Sequence, residues 1–279
     1  MKRTRGFTLI ELAIVLVIVT ILIGGLAMPL SAQIQARRIA ETKKTLEEAR
    51  DAIIGYAMSH TIPNKCTCTY DGTGELVLLS SSCVTHPSPS TWCAATGIPN
   101  QSSTETFIRH YLPCPADADG RENRTGNICT QADGLFPWVD LGTASQDAWG
   151  NRLHYSVENR EYADKSKGMP DLASYTPPYV TLNLKRICSD STCTTLVADN
   201  LPVVVFSHGP NGWGAHSING STLKAPDSED EKENTDADPS FISRSPSRAG
   251  DAAGEFDDLI VWISDGVLRS RVCPAGGCP

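Results

Sequence analysis

Basic residues are in short supply in this chain: 24 Lys and Arg stand against 32 Asp and Glu, a formal net charge of -8 over 279 residues. Phosphate binding needs clustered cations, so this balance argues against nucleic acid as a partner. No Gly-rich phosphate loop follows an expected strand, no G-x-S-x-G elbow presents a nucleophilic serine, and no fixed-period repeat is visible. Cysteine is absent before Cys66 and then occurs ten times. Charge is absent from Phe7 to Met28, with one exception, Glu11.

At about 1.5 Å rise per residue, that apolar run reaches across a hydrocarbon core roughly 30 Å thick, so residues 7–28 are expected to form a transmembrane helix. A carboxylate inside it is expensive, on the order of 2.5–3.5 kcal/mol at the bilayer centre, and Glu11 therefore needs a partner. Lys2, Arg3 and Arg5 place residues 1–6 on the cytoplasmic side. The expectation is a single-pass inner-membrane protein in contact with lipid, with everything after the helix exported. In an exported protein an even cysteine count at short spacings reads as disulfides. The candidates are Cys66, Cys68, Cys83, Cys93, Cys114, Cys129, Cys188, Cys193, Cys273 and Cys278. Local pairing of Cys114 with Cys129, Cys188 with Cys193 and Cys273 with Cys278 is the economical arrangement, but spacing does not fix connectivity, and the two C-x₄-C pairs have the alternative of holding zinc.

Residues 29–58 read as an amphipathic continuation of the helix, with Ile39, Leu46 and Ile53 at seven-residue intervals and Ala49, Tyr56 and Ala57 beside them. Gly24-Gly25 and Met28-Pro29 are the places where this rod could kink. Residues 59–279 form the exported domain. Short strands are expected at Glu75–Leu79, Arg152–Val157, Tyr179–Leu184, Leu201–Phe206 and Leu259–Ile263, each bounded by turn residues. One long helix on a small antiparallel sheet is an α+β fold. Two stretches read as insertions. Residues 59–113 look loop-rich and disulfide-stapled, and residues 215–254 carry the acidic run Asp227–Asp238 and are expected to be solvated and mobile.

Gly6-Phe7-Thr8-Leu9-Ile10-Glu11 resembles the processing site of type IV pilins and of the pseudopilins of type II secretion systems. An ordinary secretory signal is cut after its apolar region; here the junction precedes it, so the helix stays on the mature chain. The resemblance implies cleavage after Gly6 by a prepilin peptidase, N-methylation of Phe7, and a need for Glu11 in assembly. A new amine on Phe7, or on a neighbouring subunit, favours the ionised form of the Glu11 carboxylate. It also implies a pilin-like fold, other pilin or pseudopilin subunits as partners, and an inner-membrane assembly platform.

Further along, Asp147–Arg152 (DAWGNR), Ser207–Gly212 (SHGPNG) and Asp257–Trp262 (DDLIVW) are similar, in this order, to the carboxy-terminal half of the major pseudopilin. That likeness implies a Ca²⁺ ion held by Asp257, Asp258, Asn211 and the backbone carbonyl of His208. Asn211 stands where that family has an Asp, and a long segment separates Gly212 from Asp257. This segment either supplies oxygens of its own or replaces the ion by protein contacts. Asp147–Asn151 alone reads as a turn, with Trp149 filling volume and Gly150-Asn151 supplying positive φ.

The expected function is mechanical: a structural subunit of a type IV pilus-like or pseudopilus filament, its domain periplasmic or on an extracellular fibre. A minor, tip-located pilin acting as an adhesin or binding module is the alternative, and a membrane-anchored hydrolase using Ser207-His208 or Asp117 and Asp119 is the remote one. No enzymatic activity is expected, since neighbouring residues on a strand face opposite ways.

Overall fold

Thr8 starts the long helix α1 (Leu9–Ser59, 51 residues) by a capping box: its Oγ1 accepts from the Glu11 N–H at 3.3 Å, and its own N–H donates to Glu11 Oε2 at 2.8 Å. The computed structural model describes residues 8–70, 76–78, 103–169 and 182–273, with side chains over 8–22, 30–62, 109–169 and 182–273. The helix runs unbroken through Gly24-Gly25 and Pro29, giving a rod of about 75 Å. Pro29 costs one ladder bond there without ending the helix. α1 stops at His60, whose extended backbone leads into a strand.

The two halves of α1 differ in what they touch. From Leu9 to Leu22 every side chain is exposed, whereas Thr42, Leu46, Ala49, Ile53, Ile54, Tyr56 and Ala57 are buried at spacings of three and four. That is the stripe read from the sequence, with Ile39 at its partly exposed beginning. It packs on a four-stranded antiparallel sheet ordered β12-β10-β7-β6, from β6 (Asp133–Leu135), β7 (His154–Val157), β10 (Val203–Ser207) and β12 (Leu259–Ile263). Val203, Val205, Tyr155, Val157 and Ile263 share one core with Leu46 and Ile53. Each fully buried side chain of this kind stabilises the fold by about 1.5–3 kcal/mol. Helix α4 (Asp265–Val272) closes that core with Leu268 and Val272.

Val204 and Phe206 alternate with those residues and point to the other face, where they meet Ile187, Leu201 and Phe241. A second sheet, β11-β8-β9, covers this face: β8 (Lys185–Cys188) pairs antiparallel with β9 (Leu196–Leu201) and parallel with β11 (Ser240–Ile242). Burial on both faces is why Val203–Phe206 is a continuous apolar run. β11 belongs to the stretch expected to be mobile. That expectation is corrected: Ala215, Phe241 and Ile242 are fully buried, and acidic residues form helix α3 (Glu229–Glu233) behind the Ser228 cap. Arg244 fastens the segment, donating to Asp230 Oδ2 at 2.6 Å and lying over the Phe256 ring.

Residues 59–113, expected to be loop-rich, contain an antiparallel sheet β2-β1-β3 made of β1 (Thr61–Tyr70), β2 (Leu76–Leu78) and β3 (Ser103–His110). Cys66 and Cys68 lie on β1, while Cys83 and Cys93 fall outside the described residues. The hairpin β4 (Arg124–Thr125) and β5 (Ile128–Cys129) and the four-residue helix α2 (Trp138–Leu141) complete the domain. Of the expected strands, four form in part or whole. Leu182–Leu184 instead runs irregularly against the core before pairing begins at Lys185, and 179–181 lie outside the described residues. Disulfides join Cys114 to Cys129 and Cys188 to Cys193, as local pairing anticipated. Cys273 is also disulfide-bonded, and Cys278 lies outside the described residues.

Ile53→Ala removes a fully buried side chain from the helix–sheet seam. It should lower unfolding free energy by about 2–5 kcal/mol. Glu48→Ala, which breaks only an exposed pair with Lys44 at 3.3 Å, should change it by at most about 0.5 kcal/mol in the same urea titration.

Candidate functional site

The processing residues Gly6 and Phe7 lie outside the described residues. Glu11 is described: one carboxylate oxygen, Oε2, takes both the N–H and the hydroxyl of Thr8, each at 2.8 Å. Beyond it Leu9, Ile10, Leu12 and Ile14 through Leu22 form an apolar cylinder with nothing packed on it. Thr20 alone interrupts, and its hydroxyl is satisfied by the carbonyl oxygens of Leu16 and Val17. Among the described residues no helix is long and apolar enough to cross a membrane. Side chains of the expected span are described only over Thr8–Leu22, of which the helical part, Leu9–Leu22, is about 20 Å long.

The three carboxy-terminal segments come together because β10 and β12 pair with Ser207 opposite Leu259, which sets the two loops side by side. Gly209 adopts φ +61, and a Cβ there would stand 2.2 Å from the Asp257 carbonyl oxygen, so only glycine permits this approach. Asp147 is buried behind them. Its Oδ1 accepts from the N–H groups of Trp149 and Asn151, and its Oδ2 from the Ser207 hydroxyl at 2.7 Å. The next residue, Ala148, donates its N–H to Thr42 on α1. Asp147 is therefore the keystone of DAWGN. Trp149 is only half-buried, and Gly150 alone takes positive φ; both points correct the expected turn. Ser207 and His208 do not pair: the serine hydroxyl serves Asp147, and His208 Nδ1 is buried without a partner. Burial lowers the His208 pKa to about 3, which keeps the ring neutral. Asp117 and Asp119 shape an exposed turn, accepting from Asn123 and from the Arg121 N–H.

Asp257 and Asp258 meet a third acid that sequence reasoning did not single out. Glu231, in α3, lies with them in one cluster whose carboxylate oxygens are within 4.8 Å of one another. Glu231 Oε1 accepts from the Asp257 N–H and from Asn211 Nδ2, both at 3.1 Å. Asn211 N–H donates to Asp257 Oδ2 at 3.1 Å, and Asn234 Nδ2 to Asp258 Oδ2 at 2.7 Å. Asn211 thus turns its amide nitrogen to the acids, while its oxygen accepts from the Trp213 N–H. The His208 carbonyl accepts from the Gly212 N–H at 3.1 Å. The signal that could have found Glu231 is Ser228-x-x-Glu231 within the acidic run: the Ser228 hydroxyl caps α3 and turns Glu231 inward.

Three carboxylates in so small a volume repel one another and lose hydration. Burial raises the pKa of Glu231, raises Asp257 to about 7, and raises Asp258 well above the usual range, with neighbouring carboxylates adding to all three. No Lys or Arg forms an ion pair with any of the three among the described residues. Asp257 Oδ1 is buried and unpartnered. A hard divalent cation takes about six to eight oxygens from such sets, so the donor chemistry fits Ca²⁺.

A bare apolar helix rooted in a disulfide-bonded α+β domain is a pilin-like architecture. Residues 1–27 match the prokaryotic N-terminal methylation motif. That motif is the one carried by type IV pilin-like and pseudopilin precursors, which prepilin peptidase processes, and it implies anchoring of the amino terminus in the inner membrane. No curated protein and no solved structure matches the chain.

With chelator present, the folded chain holds protons on these acids more tightly than the unfolded chain does, so stability should fall as pH rises from about 4 through 7. Thermal melts of the full chain in EDTA should give a lower Tm at pH 8 than at pH 5.5, and Asp257→Asn should flatten that slope.

Proposed function

We propose that the chain is a structural subunit of a type IV pilus-like or type II secretion pseudopilus filament, cleaved after Gly6 and assembled through its amino-terminal helix. The observation that carries this reading is the division of α1: one half is built into the domain and the other, Leu9–Leu22, has no cover. Residues 7–28 reside in the bilayer before assembly, and the same surface packs against other copies afterwards. Prepilin peptidase, an inner-membrane assembly platform and sister subunits are the partners this requires. The pseudopilus form is favoured by the three carboxy-terminal segments and by the loops that the β10–β12 register sets together.

The reading includes a Ca²⁺ ion tying the carboxy-terminal loop to the inserted segment. Asp257, Asp258 and Glu231 would hold it, with the His208 carbonyl on the adjoining turn, while Asn211 positions Glu231. The ion would offset the mutual repulsion of the carboxylates.

Glu11→Ala should remove the subunit from sheared fibres, with circular dichroism of the domain unchanged; fibres carrying the variant at normal abundance would contradict the assembly role. For calcium, a hundredfold excess over Kd stabilises by about 2.7 kcal/mol. CaCl₂ should therefore raise the Tm of the full chain in detergent by several degrees over EDTA. Glu231→Gln and Asp258→Asn should each abolish most of that gain, and an unchanged calcium response would remove Glu231 from the site.

A further inference from the structure

A cavity of about 340 Å³ opens where four segments meet, lined among others by Asp117, Ala118, Arg152, His154, His216 and Ser217. None of these residues belongs to the acid cluster or to the apolar helix. Arg152 stands out by what it lacks. Arg124, Arg244 and Arg269 are each paired with a carboxylate at 2.7, 2.6 and 2.8 Å. Arg152, half-buried like them, has no ion pair and no side-chain hydrogen bond among the described residues. Its guanidinium lies over the Trp138 ring, 4.1 Å from the centroid, so its plane is held while its donors stay free.

The acids nearby do not reach Arg152. Asp133 Oδ2 holds His154 Nε2 at 2.7 Å while its Oδ1 is buried without a partner, both Asp117 oxygens accept from Asn123 Nδ2 at 2.8 Å, and Asp140 accepts the Glu122 N–H. The His154 ring is fixed by stacking on Phe206 at 4.6 Å, which leaves Nδ1 without a partner among the described residues. The volume lies at the lower end for ligand sites, which suits one side chain or a small acid and nothing larger. A partly desolvated guanidinium fork with free donors is the standard receptor for a planar carboxylate.

We propose that this cavity binds a carboxylate, received by Arg152 on its Trp138 platform, from either a small carboxylic acid or an acidic side chain of a docked protein segment. The inference stands whether or not the chain polymerises.

The test uses the full chain in detergent micelles, carrying ¹³C-labelled histidine and titrated separately with succinate and with a tri-glutamate peptide. Saturable shifts are expected at His154 and His216, with His60 and His110 unmoved. Tighter binding of the peptide would assign the carboxylate to a protein segment, and tighter binding of succinate to a free acid; either supports a carboxylate site. Arg152→Gln should weaken binding by about tenfold or more, a loss typical of removing a charged partner. Ser217→Glu, which places a carboxylate on the cavity wall, should block both probes with Tm preserved. Wild-type affinity in both variants, or no saturable shift with either probe at millimolar concentration, would overturn the proposal.

Discussion

The seam between the second half of α1 and the inner face of β10 and β12 decides everything else in this molecule. Leu46, Ile53 and Ala57 meet Val203, Val205 and Ile263 there, all of them buried. Two polar ties fix the helix against sliding: Thr42 accepts the Ala148 N–H, and the Tyr56 hydroxyl donates to Glu122. Because the seam grips only the latter part of α1, the helix must project, and the apolar side chains from Leu9 to Leu22 leave the domain together on a continuous axis.

The same sheet also explains the carboxy-terminal loops. β10 is buried on both faces, so its end at Ser207 cannot drift, and the chain must turn at once through His208 and Gly209. Antiparallel pairing with β12 then delivers Asp257 and Asp258 to that turn. The inserted segment brings Glu231 from the third side, anchored by Asn234, whose amide bridges Asp258 and the backbone of Ile242. A polar cluster of this kind sits inside the fold because apolar layers on either side leave it nowhere else to go.

Much of this was legible from the residues. The seven-residue stripe gave the buried face of α1, the runs Leu201–Phe206 and Leu259–Ile263 gave the central strands, and local pairing, the economical arrangement among several, agrees with the Cys114–Cys129 and Cys188–Cys193 bridges. What stayed hidden has physical reasons. Ser103–His110 is polar and lacks the period-two pattern, and in Thr61–Tyr70 the alternation of Lys65–Tyr70 is carried by cysteines and threonines after a proline, so long-range pairing more than local preference makes these strands. The fold of the acidic segment was masked by its composition, since Phe241, Ile242 and Phe256 are few and scattered among charges and are collected only by β8. Glu231 looked like one more solvated acid until α3 turned it inward. Arg152 announced nothing, because lacking a partner is a property of three-dimensional placement.

The parallel pairing of Ser240–Ile242 with Arg186–Cys188 has an evolutionary corollary. Phe241 rests on Val204 and Phe206, so a descendant that deleted the segment would present those residues, with Ile260 and Trp262, to water. Such a lineage would meet aggregation before it met any benefit of a smaller domain. The segment is thus a lid over the outer strand face, and homologues that share those apolar strand residues should share a cover for them.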